Sequence, residues 1–88
     1  MSIDDDIVRG DKAAEVLRND VFRDSFDTLE GYYIEQWKQS DVSDVEGRER
    51  LYIAIGVLRH IFTQLESLMM SGKMATEQLG AEKKPPLH

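Results

Sequence analysis

Carboxylates, arginines and one internal histidine are the side chains of this chain that could do chemistry. His60 has Gln64 four residues on and Glu66 six residues on, and there is no second internal histidine with which to build a metal site. We therefore interpret His60 as a partly exposed residue on the polar face of a helix.

The carboxylates are numerous, but their setting does not favour acid–base catalysis. Asp24, Asp27, Glu30 and Glu35 are expected on a solvated helix face, whereas a general acid or base needs an apolar pocket that shifts its pKa. The sequence also shows no nucleophile with a nearby base and no glycine-rich phosphate loop. We expect a protein that is not an enzyme and needs no metal or cofactor.

Arg48, Arg50 and Arg59 form the main cluster of fixed positive charge. They could contact an acidic partner or a phosphate, but pairing within the chain is the favoured alternative, because so many acids precede them. Residues 1–46 have a net charge of −8 and residues 47–88 of +2, for a total of −6. The acidic half argues against direct nucleic-acid binding, which needs clustered cations.

An apolar stripe with helical spacing organises the second half of the chain. It predicts a helix over about residues 44–71. Ser43 with Glu46 fits a capping box at its start, and Gly72 before Lys73 is typical of a helix end. Beyond it, Met74 to Leu79 could form one more helical turn or two. The stripe consists of Leu51, Ile55, Leu58, Phe62, Leu65 and Met69.

Two shorter helices are predicted before it, over about residues 5–18 and 20–39. Asp4 or Asp5 is the expected cap of the first, and Asn19-Asp20 marks the break, with Asp20 as the cap of the second. A continuous helix through this break is the alternative. The second helix carries an aromatic-rich apolar stripe of Phe22, Phe26, Leu29, Tyr33 and Trp37. We expect Phe22, Phe26 and Leu29 in the core.

The predicted fold is all-α: a short N-terminal helix followed by a long antiparallel helical hairpin, in a single domain over residues 1–80 with a flexible tail at 81–88. The third helix outruns the second, so its far end must be covered by the first helix or by another subunit. We expect a homo-oligomer, with a dimer as the simplest case. The expected interaction residues are Tyr33, Trp37, Leu68, Met69, Met70, Arg48, Arg50 and Arg59.

The 88-residue chain lacks cysteine, which fits a reducing compartment, and it has no apolar run long enough for a signal peptide or a membrane span. We expect it in the cytoplasm.

Four segments make the chain similar to a known group of proteins. It resembles the small acidic helical proteins encoded among tailed-bacteriophage and prophage morphogenesis genes. The segments are Arg9-Gly10-Asp11-Lys12-Ala13-Ala14-Glu15-Val16-Leu17, Asn19-Asp20-Val21-Phe22, Asp44-Val45-Glu46-Gly47-Arg48-Glu49-Arg50-Leu51-Tyr52 and Ser71-Gly72-Lys73-Met74-Ala75.

This resemblance implies a structural or assembly protein that acts in virion morphogenesis or DNA packaging. Such a protein would dock on a larger phage structural or packaging protein, in the host bacterial cytoplasm or in the virion. The alternative is a small phage-encoded acidic regulator that binds and inhibits a host protein. A third hypothesis, a DNA-packaging subunit that contacts DNA directly, would depend on the region of Arg48, Arg50 and Arg59.

Overall fold

The computed structural model describes residues 2–83, and all regular structure within that range is helical. The elements are α1 (Ile3–Arg18), α2 (Asp20–Gln39) and α3 (Val45–Lys83). The expected all-α class is therefore confirmed, and no strand occurs between residues 2 and 83.

Side-chain oxygens one residue before α1 and α2 cap these helices. The Ser2 hydroxyl oxygen accepts a hydrogen bond from the Asp5 backbone N–H at 3.1 Å, and Asn19 Oδ1 accepts one from the Phe22 N–H at 2.9 Å. Each satisfies an amide that has no partner within its helix. The break at residue 19 is confirmed and a continuous helix is wrong. The caps are Ser2 and Asn19, whereas the expected caps fall inside the helices.

The start of α3 is capped by Asp44. Its Oδ1 accepts a hydrogen bond from the Gly47 N–H at 3.0 Å. The expected capping box of Ser43 and Glu46 is wrong, because the Ser43 hydroxyl instead donates to Asp41 Oδ1 at 2.7 Å. Asp44 lies one residue nearer the helix, so its carboxylate reaches the third helical amide.

The far end of α3 lies well beyond the predicted one. The helix passes through Gly72 and ends at Lys83, so the expected end at residue 71 is wrong. A glycine that ends a helix usually adopts a positive φ, and none of the glycines has one. Residues 81–83 of the expected tail are helical, and residues 84–88 lie outside the described range.

The chain divides into two compact units. The α1 unit combines α1 with α3 from Gln64 onward. Its core consists of small residues: Gly10 and Gly72 are buried where the two helices meet, and Ala13 and Ala75 are only 3% and 6% exposed. Small residues allow the two backbones to approach closely, so this unit packs main chain against main chain.

The α2 unit, Asn19–Thr63, packs α2 against the first part of α3. The Phe26 and Phe62 rings meet at a centroid distance of 5.1 Å. No residue between 19 and 63 is fully buried. Leu29 was expected in the core and is 45% exposed, so that expectation is wrong. In a pair of helices, each helix covers the other along one side only. Leu29 lies outside the side of α2 that α3 covers.

Candidate functional site

An open apolar groove of about 300 Å³ lies between α2 and α3 in the α2 unit. Leu29, Val57 and Ile61 along it are 45%, 56% and 50% exposed, although all three are large aliphatic side chains. Adjoining apolar residues left open to water mark a surface suited to a partner. The groove is lined by Leu29, Tyr33, Ala54, Val57, Leu58 and Ile61.

The groove side of α2 carries no charge. At about 100° per residue, all charged residues of α2 fall within a sector of about 140°. Leu29 lies outside that sector, together with the other uncharged residues on its side. The charged set is Asp20, Arg23, Asp24, Asp27, Glu30, Glu35 and Lys38, and the uncharged set around Leu29 is Val21, Ser25, Tyr32 and Gln36.

The adjoining part of α3 is equally poor in charge. Between Leu51 and Thr63 the only fixed charge is Arg59. Its Nε lies 3.0 Å from Glu30 Oε2 of α2. The residues on the groove side of both helices together form what we name the uncharged face. It consists of Val21, Ser25, Leu29, Tyr32 and Gln36 of α2 and Ile53, Ala54, Val57 and Ile61 of α3.

Each of the three arginines that the sequence singles out has a partner within the α2 unit. The Arg48 guanidinium carbon lies 4.4 Å from the centroid of the Trp37 ring. Arg59 pairs with Glu30, and Arg50 reaches Glu46 at 4.0 Å on the same helix, with both side chains strongly exposed. Arg50 and Arg59 thus pair with acids of the chain, the alternative that the charge pattern favours, whereas Arg48 lies over an aromatic ring.

The two aromatic residues expected at an interface lie in different places. Tyr33 is half-buried and lines the groove, with its ring 5.6 Å from that of Tyr32. Trp37 is 40% exposed and is covered on one ring face by Arg48. Tyr33 thus belongs to the candidate site, whereas Trp37 takes part in a separate intrachain contact.

The other predicted interaction residues, Leu68, Met69 and Met70, belong to the α1 unit. Leu68 and Met69 are half-buried, and Met69 lines a depression of about 380 Å³ beside Gly10 and Gly72. Met70 is exposed. Of the two expected covers for this end of α3, the first helix is the one that lies against it.

Among residues 2–83, no three or more His, Cys, Asp or Glu side chains are grouped so that they could hold a metal ion. In the connector before α3, hydrogen bonds from the Ser43 hydroxyl and backbone N–H lower the pKa of Asp41 from its usual 3.8. This carboxyl is fully exposed, so the shift accompanies a local turn. No helix within the described range is long and apolar enough to cross a membrane.

Ile53, Val57 and Ile61 were not predicted from the sequence as residues of an interaction surface. They follow one another at steps of four and lie beside the predicted stripe, which Ile61 was expected to widen. The signal that could have found them is the low number of charges between Leu51 and Thr63, where Arg59 is the only fixed charge, because a solvated helix usually carries more.

Comparison of the chain with models of protein families, with curated proteins and with solved structures gives no match.

Proposed function

We propose that the protein is a non-enzymatic helical interaction module that acts in bacteriophage virion assembly or DNA packaging. It docks on a larger phage structural or packaging protein through the uncharged face. The observation that carries this proposal is a broad apolar surface on a unit that has no buried residue between 19 and 63. A helix pair of this kind gains its missing burial from a partner.

The module is an antiparallel helical hairpin. Three contacts support this arrangement: the Phe26–Phe62 ring pair, the Glu30–Arg59 ion pair and the Trp37–Arg48 contact. Residue numbers rise along α2 as they fall along α3, as antiparallel neighbours require. The connector between Gln39 and Val45 is short enough for such a turn.

The phage context comes from the resemblance within residues 9–75. A protein of that kind works in the host bacterial cytoplasm during assembly and can remain in the virion. Binding without catalysis is in keeping with the α2 unit, because its open groove is lined by apolar side chains and a tyrosine. Desolvated apolar and aromatic anchors carry most of the energy of an interface.

One observation favours a second candidate, the small acidic regulator that inhibits a host protein. The carboxylates Asp24, Asp27 and Glu35 share the charged sector of α2, away from the uncharged face. A host protein with a basic surface could be recognised there. This candidate uses the opposite side of the same helix, so substitutions can separate the two.

The deciding experiment is recovery of tagged protein from infected cells, with mass spectrometry of purified particles and assembly intermediates. We expect Val57→Glu to abolish co-purification with particles, because it places a charge in the docking surface. The matched control is Tyr52→Glu. Tyr52 is 74% exposed and lies about 140° around α3 from Val57.

Neutral amides at Asp24, Asp27 and Glu35 should leave co-purification nearly intact, because exposed charges mainly affect association rate and salt dependence. If the protein is instead the acidic regulator, the neutral amides should abolish binding to the host protein, and Val57→Glu should leave that binding intact. Recovery with a soluble host protein alone, and never with particles or intermediates, would overturn the assembly role.

A further inference from the structure

We infer that the uncharged face is occupied by a second copy of this chain, so that two α2 units form a four-helix dimer about a two-fold axis. The inference rests on the proposed function in so far as both use the uncharged face. It goes further by naming a second copy as the occupant of this face before docking, a copy that the larger protein then replaces, and by giving the symmetry of the contact.

The α2 unit has one layer of helices, and no second layer covers its apolar side. Two helices bury only the strip along which they touch, and the half-buried state of Phe26, Leu58 and Phe62 shows that this strip is not closed over. A helix pair becomes a stable core when a second pair covers its apolar side. A second copy supplies such a pair without any other component.

The charge distribution suits a like partner. Each chain has a net charge of −6, so two copies repel wherever their charged surfaces face each other. The uncharged face has no charges that would repel those of a second copy, and the charged sector of α2 points away from it. A basic amphipathic helix would find no carboxylate among the residues of this face, so charge gives it no advantage there.

The size of the face also fits. Helices of about 20 residues are about 30 Å long and about 10 Å wide, so two side by side present on the order of 600 Å². A standard interface buries roughly 600–1,000 Å² of accessible surface on each partner. The face lies at the lower end of this range, so one copy can cover the face of another in a contact of the size found in weaker dimers.

The shape of the uncharged face allows the faces of two copies to be complementary. Val57 and Ile61 line the groove on its α3 side together with Leu58, and about half of each of these two side chains is exposed. A two-fold contact requires that one patch be complementary to itself. Exposed aliphatic side chains along an open groove meet this requirement, because each copy can place them in the groove of the other.

The test is sedimentation equilibrium of the purified full chain across the micromolar range. We expect the wild type at twice its 10.1 kDa mass, and Val57→Asp to weaken the dimer about 30-fold or more, as an unpaired charge in a dry interface does. Tyr52→Asp, on the other side of α3, should leave the dimer intact. Circular dichroism checks that both variants remain helical.

A cross-linking measurement supports the same test, because the chain has no cysteine of its own. A maleimide cross-linker of short span should join copies of Val57→Cys and should leave Tyr52→Cys largely uncoupled. The inference is overturned if the wild type stays monomeric, or if it dimerises and Val57→Asp leaves the dissociation constant of the dimer unchanged. Loss of particle binding in Val57→Glu with a monomeric wild type would leave the proposed docking role standing.

Discussion

Gly10 of α1 and Gly72 of α3 face each other with no room for a side chain on either. A methyl carbon built on Gly10 would lie 2.7 Å from the Gly72 Cα, and one built on Gly72 would lie 2.8 Å from the Gly10 Cα. Both obstructing atoms are main-chain atoms, so they cannot rotate aside. The α1 unit is therefore held by a close backbone crossing flanked by the buried Ala13 and Ala75.

Alanine at either glycine should destabilise the α1 unit by about 1–3 kcal/mol, the usual cost of overpacking a tight contact. The measurement is chemical denaturation followed by circular dichroism. Gly31→Ala and Gly56→Ala are matched controls, because no atom lies within 4 Å of a methyl group built there. They should stabilise the protein by about 0.5–1 kcal/mol through helix propensity. If Gly72→Ala stabilises as they do, the crossing is wrong.

Asp44 is the residue whose loss should weaken the start of α3. Asp44→Ala removes the acceptor of the Gly47 N–H and should cost about 0.5–2 kcal/mol. Ser43→Ala should cost less, since its hydroxyl bonds to Asp41 and not to the helix. Denaturation curves of the two variants decide between them, and a larger loss for Ser43→Ala would restore the capping box.

The helices could be predicted from the sequence, because their apolar spacing and the polar residues at positions 19, 40, 41, 43 and 44 are local signals. The end of α3 could not. A glycine after an apolar stripe is typical of a helix end, and Gly72 has that position. In the structure Gly72 lies inside α3 and packs against Gly10 of α1, which is 62 positions away in sequence, and a contact so distant leaves no local signal. The cap of α3 could not be predicted either, because Ser43 and Asp44 are adjacent and the side chain of either could cap the start of the helix.

The candidate site was predictable only in part. Phe26 of the α2 stripe and Phe62 of the α3 stripe lie in contact. The sequence did not show that a helix pair leaves its flank open, so Leu29 was placed inside. Burial depends on how many layers surround an element, and spacing along one helix contains no such information.

The connector before α3 should respond to acid through Asp41. Hydrogen bonds from Ser43 lower the pKa of this carboxyl from 3.8 in the folded protein. Its contribution to stability is therefore present above the unfolded pKa near 3.8, and it is lost as the pH falls through the lower folded pKa. NMR titration of the Asp41 carboxyl carbon should show its pKa rise toward 3.8 in Ser43→Ala.

Ser40→Ala is the control for that titration, because the Ser40 hydroxyl donates to the Trp37 carbonyl and does not touch Asp41. It should leave the Asp41 titration where it is in the wild type. An Asp41 pKa that is the same with and without the Ser43 hydroxyl would show that this hydrogen bond does not form in solution.

The fluorescence of Trp37 should report the loss of the Arg48 charge, because Trp37 is the only tryptophan of the chain. The Arg48 guanidinium lies 4.4 Å from the centroid of its ring, a contact worth about 0.5–1 kcal/mol at an exposed site. Arg48→Met keeps an apolar stem over the ring and removes the charge. We expect that loss in the free energy of unfolding, together with a change in Trp37 fluorescence.

Arg50→Met is the matched control, because Arg50 contacts Glu46 at 4.0 Å and both side chains are more than four-fifths exposed. A pair so open to water contributes about 0–0.5 kcal/mol, and its loss should leave Trp37 fluorescence unchanged. A double-mutant cycle with Trp37→Leu isolates the contact energy. Coupling near zero between positions 37 and 48 would mean that Trp37 is uncovered in solution and free to act as the docking anchor that its type suggests.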